Sequence, residues 1–257
     1  MEKAIFLDID ETLLCRGKGP SPVDLEKIIE AKHRGHRVLV NTGRSLANLP
    51  EDLRDAPYLD GYVLGAGAHI ILHGKTLRES WVSPEALQRI CAFYLARKKW
   101  CAFEGERGVY AINRWPPFLF LLDLLPVERA DAFSTTYRDD RITKITIQGS
   151  ASEEERALLS DHFSLNRFAA YFEGIVRGAS KAQGMMTVLE ALGIPVENSV
   201  AVGDSLNDLD MISAAGVGVA MGNACDEIKR AARYVAADCA HGGVAEAIER
   251  WVLAPNP

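Results

Sequence analysis

The sequence predicts an α/β fold, in which a Rossmann-like parallel sheet carries helices on both faces and an α+β domain is inserted. Short β-branched runs alternate with amphipathic helical patterns near both ends of the chain, as expected of βαβ units. Polar or acidic residues directly follow several of these runs. The alternation stops between about residues 81 and 177. We therefore predict a core built from residues 1–80 and 178–257, with residues 81–177 as the inserted domain.

The composition is typical of a soluble globular protein and does not argue against a small phosphorylated substrate. The chain has 257 residues, 48% of them hydrophobic and 25% charged, which is enough for a large core without disulfides. Its net charge of −6 argues against nucleic acid or an anionic membrane surface as the main partner. No signal-peptide pattern precedes the first strand, and the most apolar run, 118–125, is too short to cross a bilayer. We expect a cytoplasmic protein with no membrane partner, and the sequence leaves open whether it is a monomer or a homodimer.

The cysteines are predicted to be free thiols. They form no CxxC pair and their number is odd, which favours a reducing compartment. The five are Cys15, Cys91, Cys101, Cys225 and Cys239.

A pair of carboxylates follows the first predicted strand, residues 4–7. Asp8 comes directly after the apolar run, and Asp10 two residues later. Ligands of open α/β sheets bind at the carboxyl ends of the strands. Two close carboxylates repel each other unless a cation lies between them or one is protonated. The pattern predicts a Mg²⁺ site beside a nucleophilic or acid–base carboxylate. The alternative is an acidic surface turn, because Asp is common in turns.

A hydroxyl and a glycine follow the second predicted strand, residues 37–40. Thr42 and Gly43 suit a phosphate oxygen, because glycine lets a ligand approach the backbone closely. A Thr-Gly turn without a ligand explains the same residues.

The βα alternation returns at Ser180. Lys181 opens a predicted helix, where its charge is unfavourable against the helix dipole, which suggests a nearby anion. A solvated lysine is the alternative. A further parallel strand, 199–202, precedes Asp204, Asn207 and Asp208, and both aspartates can face the crevice. Carboxylates thus gather again at a strand end.

The insert has the pattern of a smaller α+β domain. Helices are predicted over residues 84–100 and 153–163, and strands over 109–112 and 142–148. The last strand alternates between polar and apolar residues, which indicates an antiparallel sheet with one solvated face. The apolar residues 115–118 are either the start of a buried helix or a hydrophobic lip for a substrate or a second subunit.

Together these motifs resemble the haloacid dehalogenase (HAD) superfamily and, within it, the Cof-like sugar-phosphatase branch. The sequence is similar in four motifs that occur in order: DxDxT at 8–12, TGR at 42–44, a lysine at 181 and GDxxND at 203–208. The resemblance covers the whole chain, and the insert lies where that branch carries its α+β cap domain.

The resemblance implies a Mg²⁺-dependent phosphatase that hydrolyses a small phosphorylated metabolite, such as a sugar phosphate. Asp8 would form an aspartyl-phosphate, Asp10 would act as general acid and base, and Lys181 would neutralise charge. The implied phosphate-binding residues are Thr42, Gly43, Arg44 and Asn207. The implied metal ligands are Asp8, Asp10 through its backbone carbonyl, Asp204, and Asp208 either directly or through water.

Two residues depart from the pattern of that branch. Glu11 stands where the family usually has glycine, which puts the usual turn geometry in doubt. Ala66 stands where the branch commonly has asparagine, so a polar contact is expected to be missing.

Three other functions fit parts of the pattern. A phosphomutase or phosphotransferase uses the same nucleophile and shares the first chemical half. A non-catalytic sugar-phosphate-binding protein would lack the nucleophile or Asp10, and both are present. A phospho-acceptor signalling domain would be about half as long and would need no insert.

Overall fold

A computed structural model describes residues 1–113 and 124–254. The predicted apolar segment 115–118 lies outside these residues. The chain forms two compact units. The first comprises Met1–Gly43, Pro50–Arg78 and the segment from Ser180 onward, and the second comprises Arg44–Leu49 and Glu79–Ala179.

Strands and helices alternate along much of the chain. The helices are α1 (Pro22–His33), α2 (Pro84–Arg97), α3 (Glu153–Leu159), α4 (Lys181–Leu192), α5 (Leu209–Ala214), α6 (Asp226–Ala231) and α7 (Gly243–Ile248). The strands are β1 (Ala4–Leu7), β2 (Arg37–Asn41), β3 (Gly61–Leu64), β4 (His69–Leu72), β5 (Lys75–Glu79), β6 (Cys101–Glu104), β7 (Val109–Ile112), β8 (Leu124–Pro126), β9 (Lys144–Gln148), β10 (Phe163–Arg167), β11 (Tyr171–Val176), β12 (Ser199–Gly203), β13 (Val217–Ala220) and β14 (Tyr234–Val235).

The first unit is built on a sheet of the predicted kind. Its strand order is β14-β13-β12-β1-β2-β3-β4-β5, and the pairs from β14 to β3 are all parallel. Leu7 lies opposite Val202 on one side and Val40 on the other. Because these strands are parallel and in register, their carboxyl ends lie at one edge of the sheet.

The sheet departs from the parallel pattern at β4, which pairs antiparallel with β3. A single short turn, Gly65–Gly67, connects these two strands. A connection this short cannot make the crossover that a parallel pair requires. The α/β fold class with helices on both faces is confirmed, and the sheet is mixed rather than wholly parallel.

Apolar side chains from strands and helices share one core in the first unit. Phe6, Leu39 and Ala201 on the central strands pack in the same cluster as Met185 and Val188 of α4. All five are fully buried. Burial on this scale supplies the main driving force for folding and fixes the helix start that carries Lys181.

The second unit has a six-stranded sheet of order β10-β11-β9-β6-β7-β8. Its described pairs are antiparallel except β7 with β8. The helix predicted over 84–100 ends at Arg97, because Lys98 takes a left-handed conformation that closes α2. The helix predicted over 153–163 ends at Leu159, and β10 follows from Phe163.

One short segment clusters differently from the predicted division of the chain. Residues Arg44–Leu49 fall within the predicted core segment 1–80, yet they cluster with the second unit. The Ala47 N–H donates to the Gly105 carbonyl, and the side chains of Ser45 and Asn48 donate to Glu104. These contacts join residues more than fifty positions apart, so local pattern gave no sign of them.

The expectation of free cysteines is wrong for one pair. Cys15 and Cys239 form a disulfide, with 5.4 Å between their Cα atoms. They are 224 residues apart in sequence, so no spacing motif marks them. Cys91, Cys101 and Cys225 are free thiols. No helix within 1–113 or 124–254 is both long and apolar enough to cross a membrane.

Candidate active site

Polar side chains meet at the carboxyl edge of the parallel sheet in the first unit. Asp8 follows β1, and its N–H donates to Val202 of the neighbouring strand at 3.0 Å. Thr42 follows β2, and its N–H donates to Val63 at 2.9 Å. The backbone pairing thus continues one residue past each strand and fixes the positions of the Asp8 and Thr42 Cα atoms, from which the two side chains extend.

Lys181 lies between two of the aspartates. Its Nζ contacts Asp8 Oδ1 at 2.6 Å and also contacts Asp208 Oδ1. The Lys181 and Asp208 side chains are fully buried, and the Asp8 side chain is 6% exposed. The anion that a lysine at a helix start suggested is therefore present as two carboxylates.

Asp208 organises the loop that carries Asp204. Its Oδ2 accepts hydrogen bonds from the N–H groups of Asp204 and Ser205, each at 3.0 Å. A β-carbon on Gly203 would lie 2.5 Å from Asp208 Cγ, so this position requires glycine. Both carboxylate oxygens of Asp208 are occupied within the protein, one by Lys181 and one by backbone N–H groups.

The cluster carries more negative than positive charge. Burial and the neighbouring Asp208 raise the pKa of Asp8 to about 8. The same two causes raise the pKa of Asp204 to about 7. Burial alone would lower the pKa of Lys181, but Asp208 and Asp8 outweigh it and raise the pKa. One ammonium among three carboxylates leaves an excess that a proton or a cation can balance.

The geometry of the carboxylates suits a metal ion. Asp8, Asp204 and Asp208 each offer an oxygen, and the three oxygens lie within 4.8 Å of one another. Carboxylate oxygens are the ligands that Mg²⁺ and other hard divalent cations prefer. The residues present therefore fit a divalent cation.

The loop after Asp8 is connected to the second acidic loop. Thr12 Oγ1 donates to Asp204 Oδ1 at 3.3 Å. Asp10 is exposed. Glu11 adopts the left-handed conformation with φ 56°, where glycine is usually favoured, so the turn forms despite the substitution. The Glu11 side chain is exposed and accepts a hydrogen bond from the Arg16 N–H at 3.0 Å.

The predicted phosphate-binding residues divide between the two units. Thr42 is buried, and a β-carbon on Gly43 would lie 3.7 Å from Asn207 Nδ2, so Gly43 and Asn207 are neighbours. Arg44 belongs to the second unit, and its guanidinium donates to the Asn48 carbonyl at 3.0 Å. The structure thus brings Asp8, Lys181, Asp204 and Asp208 together and places Gly43 beside Asn207. The phosphate contacts predicted for Thr42, Gly43, Arg44 and Asn207 stay predictions.

Two supporting residues were missed by sequence reasoning. Asn41 Nδ2 donates to the Lys181 carbonyl at 3.0 Å, and Asp210 Oδ2 accepts from the Ala182 N–H at 3.1 Å. Both hold the first turn of α4. The position of Asn41 next to Thr42 was visible, but its partner is 140 residues away and no local signal identifies it.

Comparison with known proteins agrees with this geometry. The family model of haloacid dehalogenase-like hydrolases matches residues 5–248. The 5-amino-6-(5-phospho-D-ribitylamino)uracil phosphatase YcsE of Bacillus subtilis is 30% identical over 98% of this chain and 96% of its own. The pyridoxal phosphate phosphatase YbhA of Escherichia coli is 27% identical over 96% and 97%.

A solved structure extends the likeness to three dimensions. A sugar phosphatase of HAD subclass IIB superposes with a TM-score of 0.79 at 25% identity, covering 96% of this chain and 98% of that one. Phosphatases of this family generally use a divalent metal. The family match, the named relatives and the strand-end aspartates lead to one conclusion: the chain belongs to the haloacid dehalogenase-like hydrolases, in the Cof-like branch, and is a phosphoric monoester hydrolase of small phosphorylated molecules.

Proposed function

We propose that this protein is a Mg²⁺-dependent phosphatase that hydrolyses a phosphorylated metabolite, such as a sugar phosphate, through an aspartyl-phosphate. The observation that carries the proposal is the buried contact of Lys181 with Asp8 and Asp208, beside Asp204, at the carboxyl edge of the sheet. Three acids around one ammonium make a site for a cation, and that cation together with Lys181 would offset the charge of a phosphate group.

Asp8, the backbone carbonyl of Asp10, and Asp204 would hold the Mg²⁺. When bound, the ion would withdraw charge from the phosphate oxygens and keep Asp8 ionised near neutral pH. Asp208 would act through water or by holding Lys181 and the Asp204 loop in place, because its oxygens already have protein partners.

Asp8 is the proposed nucleophile. Its carboxylate oxygen forms a bond to phosphorus as the bond from phosphorus to the ester oxygen breaks. Asp10 donates a proton to the departing oxygen, and its exposure allows it to reach that atom. Asp10 then takes a proton from water as the water oxygen attacks phosphorus and releases Asp8. Free phosphate and the alcohol leave.

The remaining predicted residues would hold the phosphate. Thr42 supplies a hydroxyl, Gly43 an N–H group without an obstructing side chain, and Asn207 an amide beside Gly43. Lys181 balances the charge that develops on phosphate oxygens. Arg44 would contribute from the loop that follows.

The insert is proposed to act as a cap that selects the substrate. Residues 81–177 lie outside the four motifs, and the chain leaves the first unit after Arg78 and returns to it at Ser180, just before Lys181. The named relatives act on a ribitylaminouracil phosphate, pyridoxal phosphate and a sugar phosphate. A cap that contacts the part of the substrate beyond the phosphate would account for such variety on one core. A cytoplasmic location and the absence of nucleic acid partners stay predictions.

Release of free phosphate by the wild type and by Asp8→Asn tests the proposal. We expect Mg²⁺-dependent release from one or more esters in a panel of phosphorylated metabolites. Asp8→Asn should lose at least roughly 10⁴-fold in kcat with an unchanged fold, because the nucleophile is gone. Undiminished turnover by Asp8→Asn on any ester would contradict the mechanism. Transfer of phosphate to a second sugar, without release to water, would favour the phosphomutase alternative.

The role of Asp10 is tested separately by the choice of leaving group. General acid catalysis contributes about 10²–10⁴ in rate, so Asp10→Asn should lose that much with alkyl esters. An aryl phosphate needs less protonation, so the first step should survive and a phosphorylated Asp8 should accumulate. Equal losses for both leaving groups, with no trapped intermediate, would exclude this role.

A further inference from the structure

The loop that carries the two catalytic aspartates is tied covalently to the short turn Cys239–His241. We define the catalytic loop as residues 8–18. Within the loop, Glu11 and Arg16 both have left-handed backbone conformations, with φ of 56° and 52°. Residues with a β-carbon disfavour this region, so the loop needs contacts outside itself to hold its shape.

Two such contacts connect the catalytic loop to the short turn Cys239–His241, which precedes α7. Asn223 Nδ2 donates to the Glu11 carbonyl at 2.8 Å, and Asn223 Oδ1 accepts from the Cys239 N–H at 2.9 Å. Beside this bridge, Cys15 and Cys239 are joined by their disulfide. One amide and one disulfide therefore connect the catalytic loop to the same turn.

The surroundings of the two sulfurs favour reversible chemistry. Cys15 is half-buried, while Cys239 is buried. Glu11 Oε2 lies 3.6 Å from Cys239 Sγ. The Cα separation of 5.4 Å falls in the ordinary range for disulfides. In a reducing compartment, such as the predicted cytoplasm, disulfides are usually transient and redox-sensing.

We propose that Cys15 and Cys239 are a reversible thiol–disulfide pair, and that its oxidation fixes the catalytic loop and thereby controls turnover. The oxidant is a small disulfide such as oxidised glutathione. The Cys15 thiolate attacks one of its sulfurs, forms a mixed disulfide and releases one thiol. The Cys239 thiolate, its proton released to solvent, then attacks the Cys15 sulfur and releases the second thiol. The protein loses two electrons, and the small disulfide is reduced to two thiols.

The control of turnover rests on the proposed phosphatase function, whereas the redox pair does not. The experiment therefore measures the pair and the loop before it measures catalysis. The full-length protein is equilibrated in glutathione buffers of increasing oxidised fraction, remaining thiols are alkylated, and linked peptides are identified by mass spectrometry. Cys225→Ser serves as the matched control, because Cys225 is an exposed thiol outside the pair. Cys15→Ser and Cys239→Ser each remove the pair.

We expect a Cys15–Cys239 peptide that forms under oxidation and disappears with reductant in the wild type and in Cys225→Ser. Oxidation should raise Tm by roughly 5–15 °C, because the bond closes a long stretch of the unfolded chain. Amide exchange within residues 8–18 should slow at the same time. On an active enzyme, the two redox forms should differ in kcat by roughly fivefold or more. Both serine variants should lose all of these responses.

Each contrary result identifies what has failed. Absence of the linked peptide, or linkage without slower exchange in the loop, overturns the proposal. Equal turnover of the two redox forms overturns the control of catalysis. If the reduced pair binds Zn²⁺ with Glu11 and then resists oxidation, the site is a metal site and the proposal is wrong. A protein that shows the redox and exchange changes but cleaves no ester leaves the redox pair standing and counts against the phosphatase mechanism alone.

Discussion

Each unit of this protein buries a lysine between two carboxylates, and the two clusters differ in charge and in backbone. In the first unit, Lys181 contacts Asp8 and Asp208. In the second, Lys144 contacts Glu104 at 3.3 Å and Glu173 at 2.9 Å. Both lysines are buried, so each must be compensated by its partners.

The negative charge of the carboxylates is balanced less completely in the Lys181 cluster than in the Lys144 cluster. Asp204 adds a third carboxylate to the Lys181 cluster, and the pKa values of Asp8 and Asp204 rise to about 8 and about 7 because of burial and Asp208. In the Lys144 cluster, Ser45 Oγ and Asn48 Nδ2 donate to Glu104 at 3.3 and 3.2 Å. Neutral donors thus satisfy the acid there, while the first cluster still needs a cation.

The two clusters also differ in the regularity of the backbone that carries them. Lys144, Glu104 and Glu173 lie on adjacent antiparallel strands, and Lys144 is directly opposite Glu104. The Lys181 cluster instead comes from two strand ends and a helix start. A charge excess on irregular backbone at strand ends indicates a reaction site, whereas a balanced cluster inside a regular sheet indicates structural support.

Replacing each lysine with an uncharged residue should have the largest effect and should distinguish the reaction site around Lys181 from the structural cluster around Lys144. Lys181→Met removes the charge that would balance phosphate oxygens, so kcat should fall by roughly 10²–10³-fold. Lys144→Met should leave turnover of a small aryl phosphate within a few fold of the wild type. Both rates are measured as Mg²⁺-dependent phosphate release by folded protein, with folding verified by circular dichroism. An equal loss of turnover in both variants would remove the distinction between the clusters.

Replacing Lys144 should lower the free energy of unfolding, even though it should not change the turnover of an aryl phosphate. Lys144→Met leaves Glu104 and Glu173 buried without their shared cation, which should cost about 3–5 kcal/mol of unfolding free energy. Arg97→Met is the matched control, because its pair with Glu154 is exposed and should contribute less than about 1 kcal/mol. Urea unfolding of the three proteins measures both values. A cost for Lys144→Met no larger than for Arg97→Met would show that the cluster is dispensable.

Sequence could predict the site because its residues lie beside the strands that place them. Asp8, Thr42 and Asp204 each come within two residues of an apolar run, and parallel strands bring such ends together. The fold class followed from the same alternation. The roles of these residues in catalysis stay predictions.

Features that depend on distant partners could not be predicted. Lys144 lies on the face of β9 that alternation marks as solvated, yet Glu104 and Glu173 bury it. The disulfide joins residues 224 apart, and the Arg44–Leu49 loop clusters with the second unit through contacts across more than fifty residues. Nothing in the local spacing encodes these pairings, because each arises only once the unit that contains it has folded.

Mg²⁺ should stabilise the wild type by an amount that depends on Asp204. At 100 times its dissociation constant, a ligand that binds only the folded state adds about 2.7 kcal/mol. Asp204→Asn should remove most of this gain, while Glu173→Gln in the other cluster should retain it. Thermal unfolding with Mg²⁺ and with a chelator measures the difference. Equal gains in both variants would place the ion elsewhere.

The same measurement has an expected pH dependence. Folding raises the pKa of Asp8 and of Asp204 from 3.8 to about 8 and about 7. A raised pKa contributes stability that is complete below the unfolded value and is lost as pH rises through the folded value. The metal-free protein should therefore lose stability progressively between about pH 4 and 8, and the gain from Mg²⁺ should grow over that range. A gain that shrinks as pH rises would contradict the raised pKa values.

The smallest expected effect concerns the irregular backbone at the edge of the first unit. Ala66 has φ 50° and ψ 43°, and its N–H donates to the Thr42 carbonyl at 2.9 Å. Asparagine adopts this left-handed region several-fold more readily than alanine, so Ala66→Asn should stabilise the protein by about 0.5–1 kcal/mol. Ala66→Val is the opposite control, because a β-branched side chain is least compatible with positive φ and should destabilise. Urea unfolding in the presence of a chelator isolates the backbone effect from metal binding. If asparagine and valine shift the midpoint equally, the turn does not hold its left-handed conformation in solution, and backbone strain would no longer distinguish the Lys181 cluster from the regular strands around Lys144.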